Sequence, residues 1–201
     1  MADDEHPRPG TCVDKLRQLP AIVDGGIITA GNASGINDGA AAVIVGSRRA
    51  GVAAGIAPRA RVLSGAVAGV APRVMGLGPV DACNKALARA GLALAQMDVI
   101  EINEAFAGQL LGCLAALNDK QYCHDYLGLS ARFGEINLDR LNVDGGAISI
   151  GHPVGASGAR IILHLLQVLK RHNARQGIAS LCIGGGLGGA MLIENVSEVQ
   201  S

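Results

Sequence analysis

The chain has 201 residues and a mass of 20.4 kDa, the size of one domain or slightly more. Hydrophobic residues make up 49% and charged residues 17%, which allows a sizeable core and argues against disorder. Seventeen Lys and Arg balance seventeen Asp and Glu, and only four residues are aromatic, so there is neither a basic footprint nor a stacking platform for nucleic acid. The longest apolar runs are too short to span a bilayer. Met1-Ala2-Asp3-Asp4-Glu5 is acidic and lacks the apolar stretch of a secretory leader. The five cysteines, Cys12, Cys83, Cys113, Cys123 and Cys182, show no CxxC or metal spacing. An odd set without a leader reads as reduced thiols in the cytoplasm. Glycine (29) and alanine (32) dominate the composition, which predicts close backbone packing and glycines free to line a ligand site.

Along the chain, residues 1–26 are broken by Pro7, Pro9, Pro20 and Gly25-Gly26 and read as an irregular lead-in, with a helical turn near Val13 to Leu19. Ile27 to Ala30 is a short extended run. Gly31 to Gly39 (GNASGINDG) is loop chemistry. Ala40 to Gly46 reads as a fully buried strand, followed by a short helix near Ser47 to Gly55. From residue 60 the pattern alternates. A strand is predicted over Arg61 to Val70, and a helix over Pro79 to Ala90 with Gly91 as its stop. A strand follows over Val99 to Ile102, then a buried helix over Ala105 to Leu117. Residues 118–142 form a polar excursion, and Ala147 to Ile150 a short strand or turn. A helix is expected over Gly155 to Lys170. Strands over Ile178 to Ile183 and Ala190 to Glu194 flank the glycine hairpin Gly184 to Gly189. The alternation predicts an α/β layered domain.

Three loops carry reactive groups. In Glu101-Ile102-Asn103-Glu104-Ala105-Phe106, Asn103 suits a helix N-cap, or its amide orders a water or a carbonyl oxygen. Glu104 suits the first turn of the helix. In the stretch from Asn142 to Arg160 (NVDGGAISIGHPVGASGAR), His152 lies near a helix N-terminus, which favours a neutral imidazole able to donate to a developing oxyanion. The other reading of His152 is a satisfied structural group. In CIGGGLGGA (182–190), Cys182 is either a small hydrophobe or a thiol with a tuned proton affinity beside free backbone N–H groups. His6, His124, His164 and His172 read as packing, helix-end or surface groups, and no metal-ligand spacing is present.

At these loops the sequence resembles the thiolase family, and specifically its C-terminal half. The resemblance runs in order through TAGNASGINDGAA (29–41), VMGLGPVDACNKAL (74–87), EINEAFAGQ (101–109), NVDGGAISIGHPVGASGAR (142–160) and CIGGGLGGAM (182–191). The cysteine at 182 separates it from the ketoacyl synthases, which carry histidine there. The resemblance implies a thiolase-like layered αβα half. Residues 27–57 would be a remnant of the N-terminal domain, and residues 58–201 the C-terminal domain. It implies Claisen condensation of acetyl-CoA, or thiolysis of a 3-ketoacyl-CoA, with CoA thioesters as substrates and no further cofactor. His152 and Asn103, through a water, would bind a thioester oxygen. Cys182 would move the proton, and the N–H of Gly184 would serve a second oxyanion hole. Ala33, Ser34 and Gly35 would meet the pantetheine arm, and Met75 and Phe106 would line the acyl and pantetheine channel.

The departures from the family are as informative. Cys12, Cys83, Cys113 and Cys123 do not lie in the family's nucleophile motif, so the acyl-carrying cysteine is expected in a missing N-terminal half. Asp144 stands where many relatives carry asparagine. Residues 27–57, separated from their sheet, would expose an apolar strand, making the chain sticky, oligomeric or dependent on its other half. The alternative function is a non-catalytic CoA-binding or assembly module derived from a thiolase.

Overall fold

The computed structural model describes residue 4 and residues 6–196; the acidic N-terminal residues 1–3 and 5 lie outside the described residues. Two short helices, α1 (Val13–Arg17) and α2 (Arg48–Ala53), precede the layered part. That part runs β1 (Ala60–Gly69), α3 (Gly78–Ala90), β2 (Val99–Ile102), α4 (Ala107–Asn118), α5 (Lys120–Leu127), α6 (Ala147–Ile150), α7 (Ser157–Arg171), β3 (Gln176–Ile183) and β4 (Leu187–Asn195). Among the described residues the strands form one sheet of order β1-β4-β3-β2. The pairs β1/β4 and β3/β4 are antiparallel, and β2/β3 is parallel, with Ile102 opposite Ser180. A register shift between Val62 and Ser64 bulges β1.

Alternation along the strands sorts the core into two clusters. Ala66, Ala68, Ile100, Ile102, Ile178, Ala190 and Leu192 face α3 and α4. Val99, Ala179 and Ile193 face α7, which turns Ile161, Leu165, Val168 and Leu169 inward. The composition of small residues has a specific use here. The first turn of α3 sits directly on β4, and a Cβ at Gly188 would overlap the backbone of Gly78. Helix α3 begins with Pro79 in its first turn and ends at Gly91, whose φ of 66° gives the left-handed C-cap. No helix among the described residues is long and apolar enough to cross a membrane.

Several elements differ from the sequence reading. Residues 40–46 are irregular and exposed, not a buried strand: Ile44 is 95% exposed and Val45 79%. An apolar run becomes a strand only when a neighbouring edge supplies hydrogen bonds, and among the described residues no strand pairs with this one. Ala147–Ile150 is a turn of helix. Helix α4 starts at Ala107, and although Cys113, Ala116 and Leu117 are buried, Leu111 is exposed, so α4 has an open face. The glycine turn is shorter than expected, because β4 resumes at Leu187. The face of the sheet that α7 covers over β2 and β3 is open over β1 and β4, where Val67, Leu187 and Met191 are exposed. The excursion at 118–142 contains α5, capped by the Asp119 carboxylate.

The contact between α3 and β4 sets the spacing of a whole layer. Gly188→Ala is therefore expected to destabilise the chain by about 2–3 kcal/mol. Gly189→Ala, whose Cβ would meet only Ile183 and Leu181 at 3.5 Å, is expected to change stability by less than about 0.5 kcal/mol. Urea unfolding of the two variants tests this, and equal destabilisation would show that the close approach is not the constraint.

Candidate active site

The Asn103 and His152 loops meet at the C-terminal end of β2, beside the end of β3 that leads to Cys182. The Asn103 N–H donates to the Ser180 carbonyl at 2.9 Å, which carries the β2/β3 ladder one step beyond the strand. The chain from Ala33 to Ile36 then runs between these two loops. On one side Ser34 N–H donates to Ala105 O (2.9 Å), Ala107 N–H donates to Asn32 O (2.8 Å), and Ala33 bridges Phe106. On the other side His152 N–H donates to Gly35 O (2.9 Å), and Ile36 bridges His152. The strip that the resemblance assigns to pantetheine is thus the backbone seam joining the Asn103 loop to the His152 loop.

Asn103 and His152 are in contact. The Asn103 Nδ2 lies 3.4 Å from His152 Nε2, and His152 Nδ1 lies 2.6 Å from the Ser157 hydroxyl on the first turn of α7. Burial, and then the Arg160 guanidinium, lower the pKa of His152, so the ring is neutral near pH 7. Two tautomers are open to the ring, and only the one with hydrogen on Nδ1 lets Nε2 accept from the Asn103 amide; hydrogen on Nε2 sets two donors face to face and leaves both to an incoming oxygen. When Ser157 donates to Nδ1, Nε2 carries the hydrogen and can donate to a bound oxygen. When Ser157 donates instead to Pro153 O (3.1 Å), Nδ1 carries the hydrogen and the Nε2 lone pair faces Asn103. Arg160 also holds the backbone before His152, donating to Gly151 O at 2.9 Å. Gly151 has φ of 85°, and a Cβ there would overlap the Asn37 amide. The Asn37 Oδ1 is buried without a hydrogen-bond partner.

Asn103 is not an N-cap. The cap residue of α4 is Phe106, and Asn103 is buried with its amide turned to His152. Glu104 is not a first-turn carboxylate either, since the helix begins three residues later. It accepts from Asn142 Nδ2 (3.0 Å) and from Ile148 N–H (3.3 Å), tying the Asn103 loop to α6. Asn142, in the left-handed region at φ 45°, uses its side chain as a strand edge. Its Oδ1 accepts from Ile102 N–H and its Nδ2 donates to Ile102 O, both at 2.9 Å. The sequence reading assigned no role to Asn142, Ser157 or Arg160. Their signal was position alone, in polar residues flanking the glycine pairs around His152.

Cys182 is buried on the α3 side of β3, and burial pushes its thiol pKa up, so it holds its proton near neutrality. Its backbone lies two residues beyond Ser180, the partner of Asn103. Among the described residues no hydrogen bond joins its thiol to Asn103 or His152. Gly184 opens the turn after β3 with open space around it. Met75 is half-buried on the single-turn helix Pro72–Leu77, which packs on α4, β3 and β4. Phe106 is half-buried at the site seam. The packing reading of Cys83 and Cys113 agrees with their chemistry, since burial pushes their pKa values up to about 11 and about 12. Cys113 donates to Gly76 O at 3.2 Å.

His6 seats its ring against Ile148 O (3.0 Å). His164 is not a mere packing group, because its two ring nitrogens face Glu101 and Asp144. These residues line a cavity of about 100 Å³ that also touches Asn103 and Arg160. A larger open groove of about 560 Å³ lies at the far end of α4, by Asn118 and Glu135, away from this chemistry.

The Glu104 clamp joins the Asn103 loop to α6, beyond the reach of the single Ile100/Leu141 bridge. Glu104→Ala is expected to cost about 1–3 kcal/mol, because it leaves the Ile148 N–H and one hydrogen of Asn142 without an acceptor. Thermal unfolding of this variant tests the clamp, and an unchanged midpoint would show that loop and helix stand without it.

The chain matches two descriptions of known domains: thiolase, C-terminal domain, over residues 56–195, and thiolase, N-terminal domain, over residues 1–49. It is 48% identical over 191 residues to an acetyl-CoA acetyltransferase of Syntrophomonas wolfei, covering 95% of this chain and 44% of that protein. It is 49% identical over 194 residues to the 3-oxoadipyl-CoA/3-oxo-5,6-dehydrosuberyl-CoA thiolase of Escherichia coli, covering 96% and 45%. The fold superposes on human mitochondrial 3-ketoacyl-CoA thiolase with a TM-score of 0.82 at 38% identity, covering 96% of this chain and 45% of that one. The chain therefore spans a little under half the length of the relatives it matches. With a mixed sheet layered between α3/α4 and α7 and both domain descriptions matched in order, the chain belongs to the thiolase family.

Proposed function

We propose that these residues supply the His152, Asn103 and Cys182 part of a thiolase-type acyltransferase site, which acts on acyl-CoA thioesters by Claisen condensation or by thiolysis of a 3-ketoacyl-CoA. The observation that carries this reading is the contact between a neutral His152 and the buried Asn103. With Ser157 donating to Nδ1, the Nε2–H and a water on the Asn103 amide form a pair of donors for a thioester oxygen as it gains enolate charge. A neutral donor suits this task, because it stabilises the oxyanion without surrendering a proton to it.

Cys182 fits the proton-moving role. Its thiol is held protonated by burial, so it can deliver a proton to the α-carbanion released when the C–C bond of a 3-ketoacyl-CoA breaks. In the reverse direction its thiolate would take that proton from acetyl-CoA. Gly184 is exposed, with open space where a Cβ would stand, and its N–H would serve the second oxyanion hole. Ala33, Ser34 and Gly35 would flank the pantetheine arm, with Met75 and Phe106 along the acyl channel.

The acyl-carrying cysteine would come from sequence outside these 201 residues. Cys83 and Cys113 are buried and hold their protons, and Cys123 is buried in sulfur hydrogen bonds with Ala116, Leu117 and Phe133. We assign residues 27–57 to the N-terminal domain and 58–201 to the C-terminal domain. The remaining N-terminal portion would cover the exposed run at 40–46 and the open face over β1 and β4. The burial of Cys83, Cys113 and Cys123, which keeps those thiols from an acyl group, favours one second reading, a CoA-binding or assembly module without turnover.

Thiolysis of acetoacetyl-CoA tests both readings. The chain alone is expected to show no turnover above its His152→Ala variant. Mixed with a polypeptide carrying the N-terminal portion of a relative, it is expected to turn over. His152→Ala should then cut the rate by about 10²–10³-fold, and Cys182→Ala by about 10²–10⁴-fold. Turnover by the chain alone that His152→Ala abolishes would mean that one of its other cysteines carries the acyl group. CoA binding without turnover in either setting would favour the binding module.

A further inference from the structure

Behind the Asn103 and His152 contact lies a line of charge that the proposed chemistry does not use. Glu101 is buried on β2, two residues before Asn103, with only 3% of its surface exposed. Its Oε1 lies 3.1 Å from His164 Nδ1, on α7. The other ring nitrogen of His164, Nε2, lies 2.9 Å from Asp144 Oδ2, on the loop that begins at Asn142. Arg171 Nη2 closes the line on Asp144 at 2.8 and 2.7 Å. An imidazole that faces a carboxylate oxygen from each nitrogen satisfies both only when both nitrogens carry hydrogen. The arrangement therefore selects the imidazolium. The groups facing the ring are Glu101 from β2 and Asp144 from the 142–146 loop, while on α7 Arg171 is bonded to Asp144 and Arg160 to the Gly151 carbonyl.

The three elements that His164 ties together are the three that hold the site. β2 carries Asn103. The 142–146 loop begins with the Asn142 side chain that grips Ile102 and Glu104. Helix α7 carries Ser157, which bonds the His152 ring, and Arg160, which bonds the Gly151 carbonyl. We propose that His164, as an imidazolium between Glu101 and Asp144, is a positioning residue for the Asn103 and His152 pair. This rests on reading that pair as the oxygen-binding donors.

A direction follows for pH. The hydrogen bond that the Glu101 carboxylate accepts from the ring, above all, raises the pKa of His164 from its ordinary 6.5, and burial opposes it. A raised pKa means that the link is complete below the ordinary value and is lost as pH rises through the folded-state value. Deprotonation leaves one ring N–H for two carboxylates, and when Asp144 keeps it the buried Glu101 oxygen faces a lone pair, which loosens the hold between β2 and α7. His152 titrates in the opposite sense, below its ordinary value, so the two rings are distinguishable by midpoint.

The test is a pH titration of the five histidine ring signals of the intact 201-residue chain by NMR. The His152 signal is expected to show two inflections, its own at low pH and a second that coincides with the His164 midpoint. His164→Gln should remove the second inflection and leave the first. Asp144→Asn, at a half-exposed position, should lower the His164 midpoint by about one pH unit and carry the second inflection of His152 with it. A purely stabilising role for His164 would lower the melting temperature of His164→Gln while the His152 titration stayed the same. A single His152 inflection in the wild type, unmoved in Asp144→Asn, overturns the proposal. None of these readouts needs turnover, so failure of the thiolysis experiment and failure of this one are separate results.

Discussion

The four-residue strand β2 lies at the edge of the sheet, with β3 as its one hydrogen-bonded strand neighbour. Its other edge at Ile102 is closed by a side chain, since the Asn142 amide takes the Ile102 N–H and returns a hydrogen to the Ile102 carbonyl. A buried strand edge left open would strand two polar backbone groups, so this one residue lets β2 end inside the protein. Asn103 comes directly after that closed edge, and its position follows from it. The same amide reaches Glu104, so the loop that carries Asn103 is held by the loop that leads to His152.

From that edge the site builds outward, and His152 itself is set in neutral hydrogen bonds. His152 meets an amide and a hydroxyl, both uncharged, and its nearest cation, Arg160, is aimed at a carbonyl. Glu101 is turned from β2 onto His164, and Asp144 and Arg171 lie on the other side of that ring. The neutral setting of His152 has a physical rationale. A neutral imidazole between dipoles needs little reorganisation when an oxygen gains charge in front of it, whereas a carboxylate in contact would repel that oxygen.

The layered fold was legible because its signals are local. Pro79 and Gly91 mark the ends of α3, and the inward stripe of Ile161, Leu165, Val168 and Leu169 marks α7. The contact of Asn103 with His152 was legible only through the resemblance, since the two are 49 residues apart and spacing alone favoured an N-cap. The roles of Asn142, Glu104 and His164 were not legible. Each depends on which backbone or side chain arrives from elsewhere, and a single asparagine or histidine carries no periodic mark. The strand expected at 40–46 failed for a related reason. Its residues have the right composition, but a strand is a property of a pair, and among the described residues no strand pairs with it.

That uncovered run also bears on how much folded protein a cell could hold. Ala40 to Val45 is six uncharged residues without proline, apolar and rich in β-branched side chains at its end, the composition that stacks into intermolecular sheets. Chaperones and proteases act on exposed segments of this kind, so the steady-state amount of such a chain is set by how fast the run is covered as well as by folding stability. Abundance then becomes a measure of assembly: whatever surface pairs with residues 40–46 would act as the quality-control signal for the chain.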